Sequence, residues 1–500
     1  MSTLDWLIVA LYALVMIGIG YAASRKQANT DEYFRGARQI PWWAIGISIM
    51  ATSFSAASLL GGPAQGYDKG FLWLQMQIGD LVGYTLVILL FLPLFVKLNI
   101  TTAYEYLEKR FDAKNRSLAS FCFLLFILAR LGGLLYGAAL VVSIVTNLPL
   151  NVAIVIVGIA SIAYTVAGGI AAVVWTDVLQ FALIFVGLGA GVWAASSGVE
   201  GGFGELWSTA AAAGKLQVIN LSWEPTNLVS LPTAVIPYGI LAFAVAGTNQ
   251  QSVQRYVSCA DVQSGRKAAL LGWFTGLIGV AITLLLGILM YSFYTIKAGS
   301  LPADITGDKI LPHFITTQVP PGAAGLLVAA VFAAAMSSID SGLHALATCM
   351  TVDFYERFFK PNRSDRHYLK VAQLLIVIWG LFSVAAAFYV ASAEINLLPY
   401  LIKYVAFFLG PVLGLFLMGI LFPRINANGA FFGTLAAGVI LGINYSAGGY
   451  NFGIWQTAIA APLAVIIGYG ISLLGKTPSP ASLRGLTLIH GQTEDDSPRE

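Results

Sequence analysis

Long apolar runs broken by short polar loops organise this chain from one end to the other. A membrane-crossing helix needs about 20 mostly apolar residues, and thirteen segments qualify. They are roughly 4–23, 42–66, 71–97, 117–146, 150–167, 172–196, 232–254, 267–295, 322–353, 368–391, 396–421, 429–446 and 453–474. The pattern predicts an all-α polytopic membrane protein. Two runs break their own pattern. Ser48–Tyr67 is rich in small and hydroxyl residues and contains Gly61-Gly62-Pro63, and Phe243–Tyr256 turns polar part-way along. They lie five spans apart. Interrupted helices at matching places in two halves point to a binding site made by inverted repeats. The halves are 41–197 and 232–422, with no residue-level repeat visible between them. The first helix and a loop (1–40) precede them. A loop (198–231) joins them, and two peripheral helices (423–475) and a tail (476–500) follow.

Composition agrees. The chain is 58% hydrophobic and only 10% charged, against about 25% charged in an ordinary soluble protein. Net charge is +3, with no basic stripe for a nucleic acid, and no obligate protein partner is evident. The three cysteines, Cys122, Cys259 and Cys349, have neither disulfide-framework nor metal-site spacing. The N-terminus lacks the basic start of a cleavable signal. Arg25, Arg35, Lys109, Arg116, Arg255, Arg266, Arg357 and Arg363 all fall in alternate loops. The positive-inside rule makes that side cytoplasmic, with the N-terminus outside, the tail inside and the inner (plasma) membrane as the location. The tail is Pro/Ser-rich and ends in an acidic run, a composition that favours disorder.

The chemistry concentrates in Ala333–Leu343, AAAMSSIDSGL. Ser337, Asp340 and Ser341 share a helix face, with Ser338 beside them. Small residues also let membrane helices pack closely. A carboxylate at bilayer depth is costly, however, and suggests an ion or substrate path. Hydroxyl, carboxylate and carbonyl oxygens suit a small hard cation such as Na⁺. The carbonyls would come from Ala51 and Phe54, freed by the first interrupted helix.

Asp177 reads either as a helix-start acid or as the carboxylate of a second cation site. Arg130 reads either as half of an ion pair with Asp80 or as the anchor for a substrate carboxylate. Lys403 reads as snorkelling from the end of its span, and His344 as packing or a proton relay. No nucleophile–base pair, phosphate loop or metal-ligand cluster points to an enzyme.

Together AAAMSSIDSGL, GGIAAVVWTDVLQ, NQQSVQRY and TTAYEYLEKRFD resemble the motifs of the sodium–solute symporters, over essentially the whole chain. The resemblance implies about thirteen helices with a five-plus-five inverted-repeat core of leucine-transporter type. It implies a first sodium site from the carbonyls of Ala51, Phe54 and Ala334 with the hydroxyls of Ser337 and Ser338. In members with a second ion, Asp177, Ser337, Asp340 and Ser341 would hold it, although many of those carry serine where this chain has Asp340. Within the family the likeness is to bacterial sialic-acid symporters. Their pocket maps onto Ser53, Ser55, Ser58, Gln77 and Arg130. Asn249, in the second interrupted helix, is a further substrate-binding candidate. Asn249-Gln250 look more like the sugar members. The expectation is Na⁺-driven import, by alternating access, of a small carboxylate-bearing sugar such as sialic acid. A neutral sugar or other neutral solute is the alternative within transport, and a transporter-like channel or sensor the alternative outside it.

Overall fold

The computed structural model describes residues 2–24, 29–146, 148–224, 227–393, 397–447 and 453–488. The described residues are helical with connecting turns and loops, and each of the thirteen expected spans corresponds to a helix or a run of helices. The first span is α1 (Thr3–Ser24) and the second is α2 (Trp42–Ser53) followed by α3 (Ala56–Lys69). The third centres on α4 (Met76–Leu86) and the fourth is α5 (Ala113–Thr146). The fifth and sixth are joined in α6 (Leu150–Ser197). Its continuity is broken at Gly169, whose φ of 52° and ψ of 179° turn the chain from one span into the next. An L side chain rarely adopts that backbone.

A second interrupted helix follows. A broken run contains α7 (Gly239–Thr248) and α8 (Gln250–Val257), and α9 (Val262–Ile296) follows. Next come α10 (Ala323–Cys349), which is buried along almost its whole length, and α11 (Asp365–Ser392). The last three are α12 (Leu397–Leu421), α13 (Ala427–Ser446) and α14 (Trp455–Leu473). The side chain of Lys403 lies outside the described residues.

Small residues let these helices approach closely. A Cβ on Gly287 of α9 would stand 2.0 Å from the Pro63 carbonyl of α3. Pro63 therefore lies inside a helix, at a crossing, and the interruption is earlier than the Gly61-Gly62-Pro63 sequence suggests. α2 ends at Ser53, Phe54 has φ −91° and ψ 90°, and α3 restarts at Ala56.

The motif TTAYEYLEKRFD ties down the end that carries the basic loops. Arg110 donates to the Gly419 carbonyl in the last turn of α12 and to the Phe422 and Ile425 carbonyls just past it, at 3.0–3.2 Å. These are groups that a helix C-terminus leaves without partners of its own. Arg116 bridges Asp353 and Glu108, and Arg357 joins Glu108. At the opposite end Asp5 accepts from the Gly322 and Gly325 amides at 2.7 and 2.8 Å, capping α10. The tail departs from its expected disorder as far as residue 488. Leu483 is buried, the Tyr106 hydroxyl donates to the Leu486 carbonyl, and the Leu488 amide donates to Ile420. The leucines of this stretch outweigh its prolines and serines.

Candidate functional site

Both helix breaks face α10 at the centre of the molecule. At the first, the Ser55 amide donates to Ser58 Oγ at 3.3 Å, closing a capping box that restarts α3. The carbonyls at the end of α2 then turn to α10. Ser337 Oγ lies 2.8 Å from the Ala51 carbonyl and 3.1 Å from that of Ala334. Ser338 Oγ donates to the Thr52 carbonyl at 2.9 Å. Ala51, Ala334, Ser337 and Ser338 are thus together. The Thr52 carbonyl, which the expected set did not contain, also sits beside Ser338. Phe54 follows it at the break, with its amide bonded back to Met50.

At the second break Asn249 is extended, and its side chain accepts from the Gln251 amide at 3.0 Å, restarting α8. The Gln250 amide group spans the Ala103 amide and the Thr101 carbonyl, and the Tyr104 hydroxyl donates to Thr248. Gln251 Nε2 donates to the Ser338 carbonyl at 3.3 Å, and its Oε1 accepts from Arg130 at 2.8 Å.

A cavity of about 340 Å³ lies between the two breaks. Ser53, Ser55, Ser58, Gln77, Arg130 and Asn249, the six expected pocket residues, all line it. Ser53 is exposed to it despite its mid-span position, and its hydroxyl donates back to the Ile49 carbonyl. The Gln77 carbonyl accepts from Trp273 Nε1 at 3.0 Å. Arg130 and Asp80 both reach the cavity, yet they form no ion pair with each other. Asp80 Oδ2 accepts from Gln77 Nε2 at 2.8 Å and faces the Tyr238 hydroxyl at 3.5 Å. Among the described residues no carboxylate pairs with the Arg130 guanidinium, and an uncompensated charge away from water is costly.

A second polar cluster lies one helical turn from the Ser337 cluster. Asp177 Oδ2 accepts from Arg255 at 2.9 Å and from Ser48 Oγ at 2.5 Å. Arg255 also donates to Ser48, Ser341 and the Gln251 carbonyl at 2.6–2.7 Å. Asp177 is therefore already paired with a guanidinium. Its Oδ1 has no hydrogen-bond partner. Asp340 Oδ1 accepts from the amide of Ser341 at 2.6 Å. His344 packs beside the Tyr33 ring at 5.1 Å and meets Gln254 through Nδ1.

A family model described as the sodium:solute symporter family matches residues 33–437. The chain belongs to that family. It is 31% identical to the sodium/sialic acid symporter SiaT of Proteus mirabilis, over 97% of each chain. It is also 31% identical to the sodium/sialic acid symporter NanT of Aliivibrio fischeri, over 94% of this chain and 92% of that one. Against the sodium/glucose cotransporter of Vibrio parahaemolyticus it is 30% identical, over 87% and 84%. A solved structure described as a substrate-bound, outward-open Na⁺-coupled sialic acid symporter superposes with a TM-score of 0.87. The two chains are 30% identical over 96% of this one and 99% of that one. The nucleobase-cation symporter Mhp1 shares the fold alone, with a TM-score of 0.53 at 15% identity over 89% and 94%. The symporter thus has the leucine-transporter fold expected of it.

Sequence reasoning missed Arg255, which it assigned to a basic loop. The signal was present: Gln251 and Arg255 are four apart, on one face of a segment flanked by Val253, Tyr256 and Val257. It also missed Thr52, whose role depends on where α2 stops.

Proposed function

We propose that this symporter imports a carboxylate-bearing sugar of the sialic-acid class together with Na⁺, across the plasma membrane. The loop end held by Arg110, Arg116 and Arg357 faces the cytoplasm on this reading, and the N-terminus faces outside. The observation that carries the proposal is Arg130. Its guanidinium lines the central cavity and has a neutral amide, Gln251 Oε1, as its partner. A ligand carboxylate supplies the missing anion through two parallel hydrogen bonds. The sialic-acid relatives, matched over nearly the whole chain, support the class.

Na⁺ takes the first site on this reading. The Ala51 and Ala334 carbonyls and the Ser337 and Ser338 hydroxyls are its proposed ligands, with the Thr52 carbonyl next to them and Phe54 as the remaining candidate. Because Ala51 and Thr52 end α2 and the serines belong to α10, an ion there ties the two helices together. Gln251 connects the same serine pair to Arg130, so ion and carboxylate act on adjoining residues. A second ion on Asp177, Ser337, Asp340 and Ser341 would have to share Asp177 with Arg255.

The test is binding of N-acetylneuraminic acid to the purified protein with Na⁺ or with K⁺. Tight binding is expected in Na⁺ alone. A charge-assisted contact contributes about 1.5–3 kcal/mol, so Arg130→Ala, and equally the methyl ester of the ligand, should each weaken binding roughly ten- to a hundredfold. The two losses should not add, because both remove one contact. Equal binding of ester and acid to the wild type overturns the carboxylate reading.

A further inference from the structure

The central cavity holds charges of both signs, and the chain pairs neither of them with the other. Arg130 uses Nη1 on Gln251, and no acceptor among the described residues meets its Nε or Nη2. Asp80 uses Oδ2 on Gln77, and Tyr238 stands at the edge of hydrogen-bond range. Oδ1 of Asp80 has no donor among the described residues. A carboxylate that stays ionised away from bulk water needs donors for its lone pairs. A ligand that offered only a carboxyl group would answer Arg130 and leave Asp80 as it is.

We infer that Asp80 is a specificity-determining residue that accepts hydrogen bonds from donor groups of the substrate, so that the pocket selects a carboxylate carrying hydroxyl or ammonium groups away from its acid. The inference rests on the carboxylate reading of Arg130. It also follows from the layout of α4. Gln77 and Asp80 are three apart and lie on one face of the helix, and Gln77 is turned so that its amide holds Asp80 Oδ2. Trp273 Nε1 donates to the main-chain carbonyl of Gln77. Oδ2 is thereby oriented by the chain, and Oδ1 is left for the ligand. The rings of Trp73, Tyr84, Tyr238 and Trp273 line the same cavity and suit the apolar face of a sugar ring. Na⁺ is not the intended partner, because the ion ligands proposed above lie on α2 and α10 and Asp80 on α4.

The experiment measures binding of three acids to the full-length protein in saturating Na⁺, for the wild type and for Asp80→Asn. The acids are N-acetylneuraminic acid, the methyl glycoside of neuraminic acid with its free ammonium, and tetrahydropyran-2-carboxylate, which has no donor. Asp80→Asn is expected to weaken the first by about tenfold, the ammonium compound by more, and the donor-free acid not at all. A larger loss for the acetylated compound than for the amine would assign hydroxyls to Asp80 within the same inference. Unchanged binding of all three, an equal loss for all three, or a raised Na⁺ requirement with the ligand ranking intact overturns it. Failure of the carboxylate reading looks different. Arg130→Ala would then leave binding unchanged, and the effect of Asp80→Asn would still be read on the neutral methyl ester. A Na⁺-dependent rise in thermal stability confirms that each variant is folded.

Discussion

Arg255 is a large cation with almost no contact with solvent, and its stability depends on Asp177. Breaking a buried ion pair from one side leaves the other charge uncompensated and costs about 3–5 kcal/mol. Arg255→Ala is therefore expected to lower the unfolding midpoint sharply. Ser48→Ala, which removes one hydroxyl from the same cluster, should cost about 1 kcal/mol. Thermal unfolding of the two variants in the same detergent compares them. The pair also bears on stoichiometry. With a guanidinium already on Asp177, Na⁺ titration of substrate binding should follow a single-site curve. Ser337→Ala or Ser338→Ala should raise the Na⁺ concentration it needs. A Hill coefficient above one that falls to one in Asp177→Asn would instead place a second ion there, beside Arg255.

At the scale of elements, the two crossings that matter most are α3 on α9 and the break of α2 on α10. Gly287→Ala would drive a methyl group into the Pro63 carbonyl, and overpacking of this kind costs typically 1–3 kcal/mol. Gly276, on the same helix, has nothing within 4 Å of its Cβ position, so Gly276→Ala should be close to neutral. Differential scanning of both proteins tests the crossing against its control. The sequence made the spans legible, because runs of about 20 apolar residues are hard to mistake, and hydroxyls beside a carboxylate singled out α10. The residue at which α2 stops was harder to read. Gly61-Gly62-Pro63 looks like a breaker, but neighbouring helices and local backbone adjustment allow proline within a span. The stop at Ser53 is set by Ser55 and Ser58 capping α3, and by the α10 hydroxyls donating to the freed carbonyls. Arg255 was obscured for a related reason. Its charge suggested a loop, and its burial follows from a partner 78 residues away in sequence.

Across the whole molecule, the end with the basic loops is closed by a network rather than by one contact. Asp353 at the end of the α10 run takes Thr102, Arg116 and Ser120. Glu108 extends the network to Arg357, which is partly exposed. Burial raises the Glu108 pKa, but the hydrogen bonds from Arg357 and Arg116 outweigh it and hold the carboxyl below its ordinary 4.5. Such a lowered group adds stability above its unfolded value, and that stability is lost as pH falls through the folded one. Glu108→Gln should therefore unfold more easily than the wild type at pH 7, with the difference shrinking as the pH drops below about 4.5. The pair is half in solvent, so the gap at pH 7 should stay within about 1 kcal/mol. Unfolding midpoints at both pH values would show this.

The hydroxyls of Ser337 and Ser338 bear on how fast the carrier can work. Each donates to a carbonyl of α2, so an ion arriving at the proposed site would have to turn those protons aside and displace hydrogen bonds of about 0.5–1.5 kcal/mol each. That weakens the hold on Na⁺ somewhat. It also means that, after cargo and ion have left, the bared carbonyls find partners within the chain rather than facing hydrocarbon unmet. A carrier must make its homeward crossing with nothing aboard. If that leg is slow, it limits turnover however favourable the inward leg is. On the proposed site, two serine protons able to satisfy those oxygens would let the unloaded protein reset, and let it cycle again.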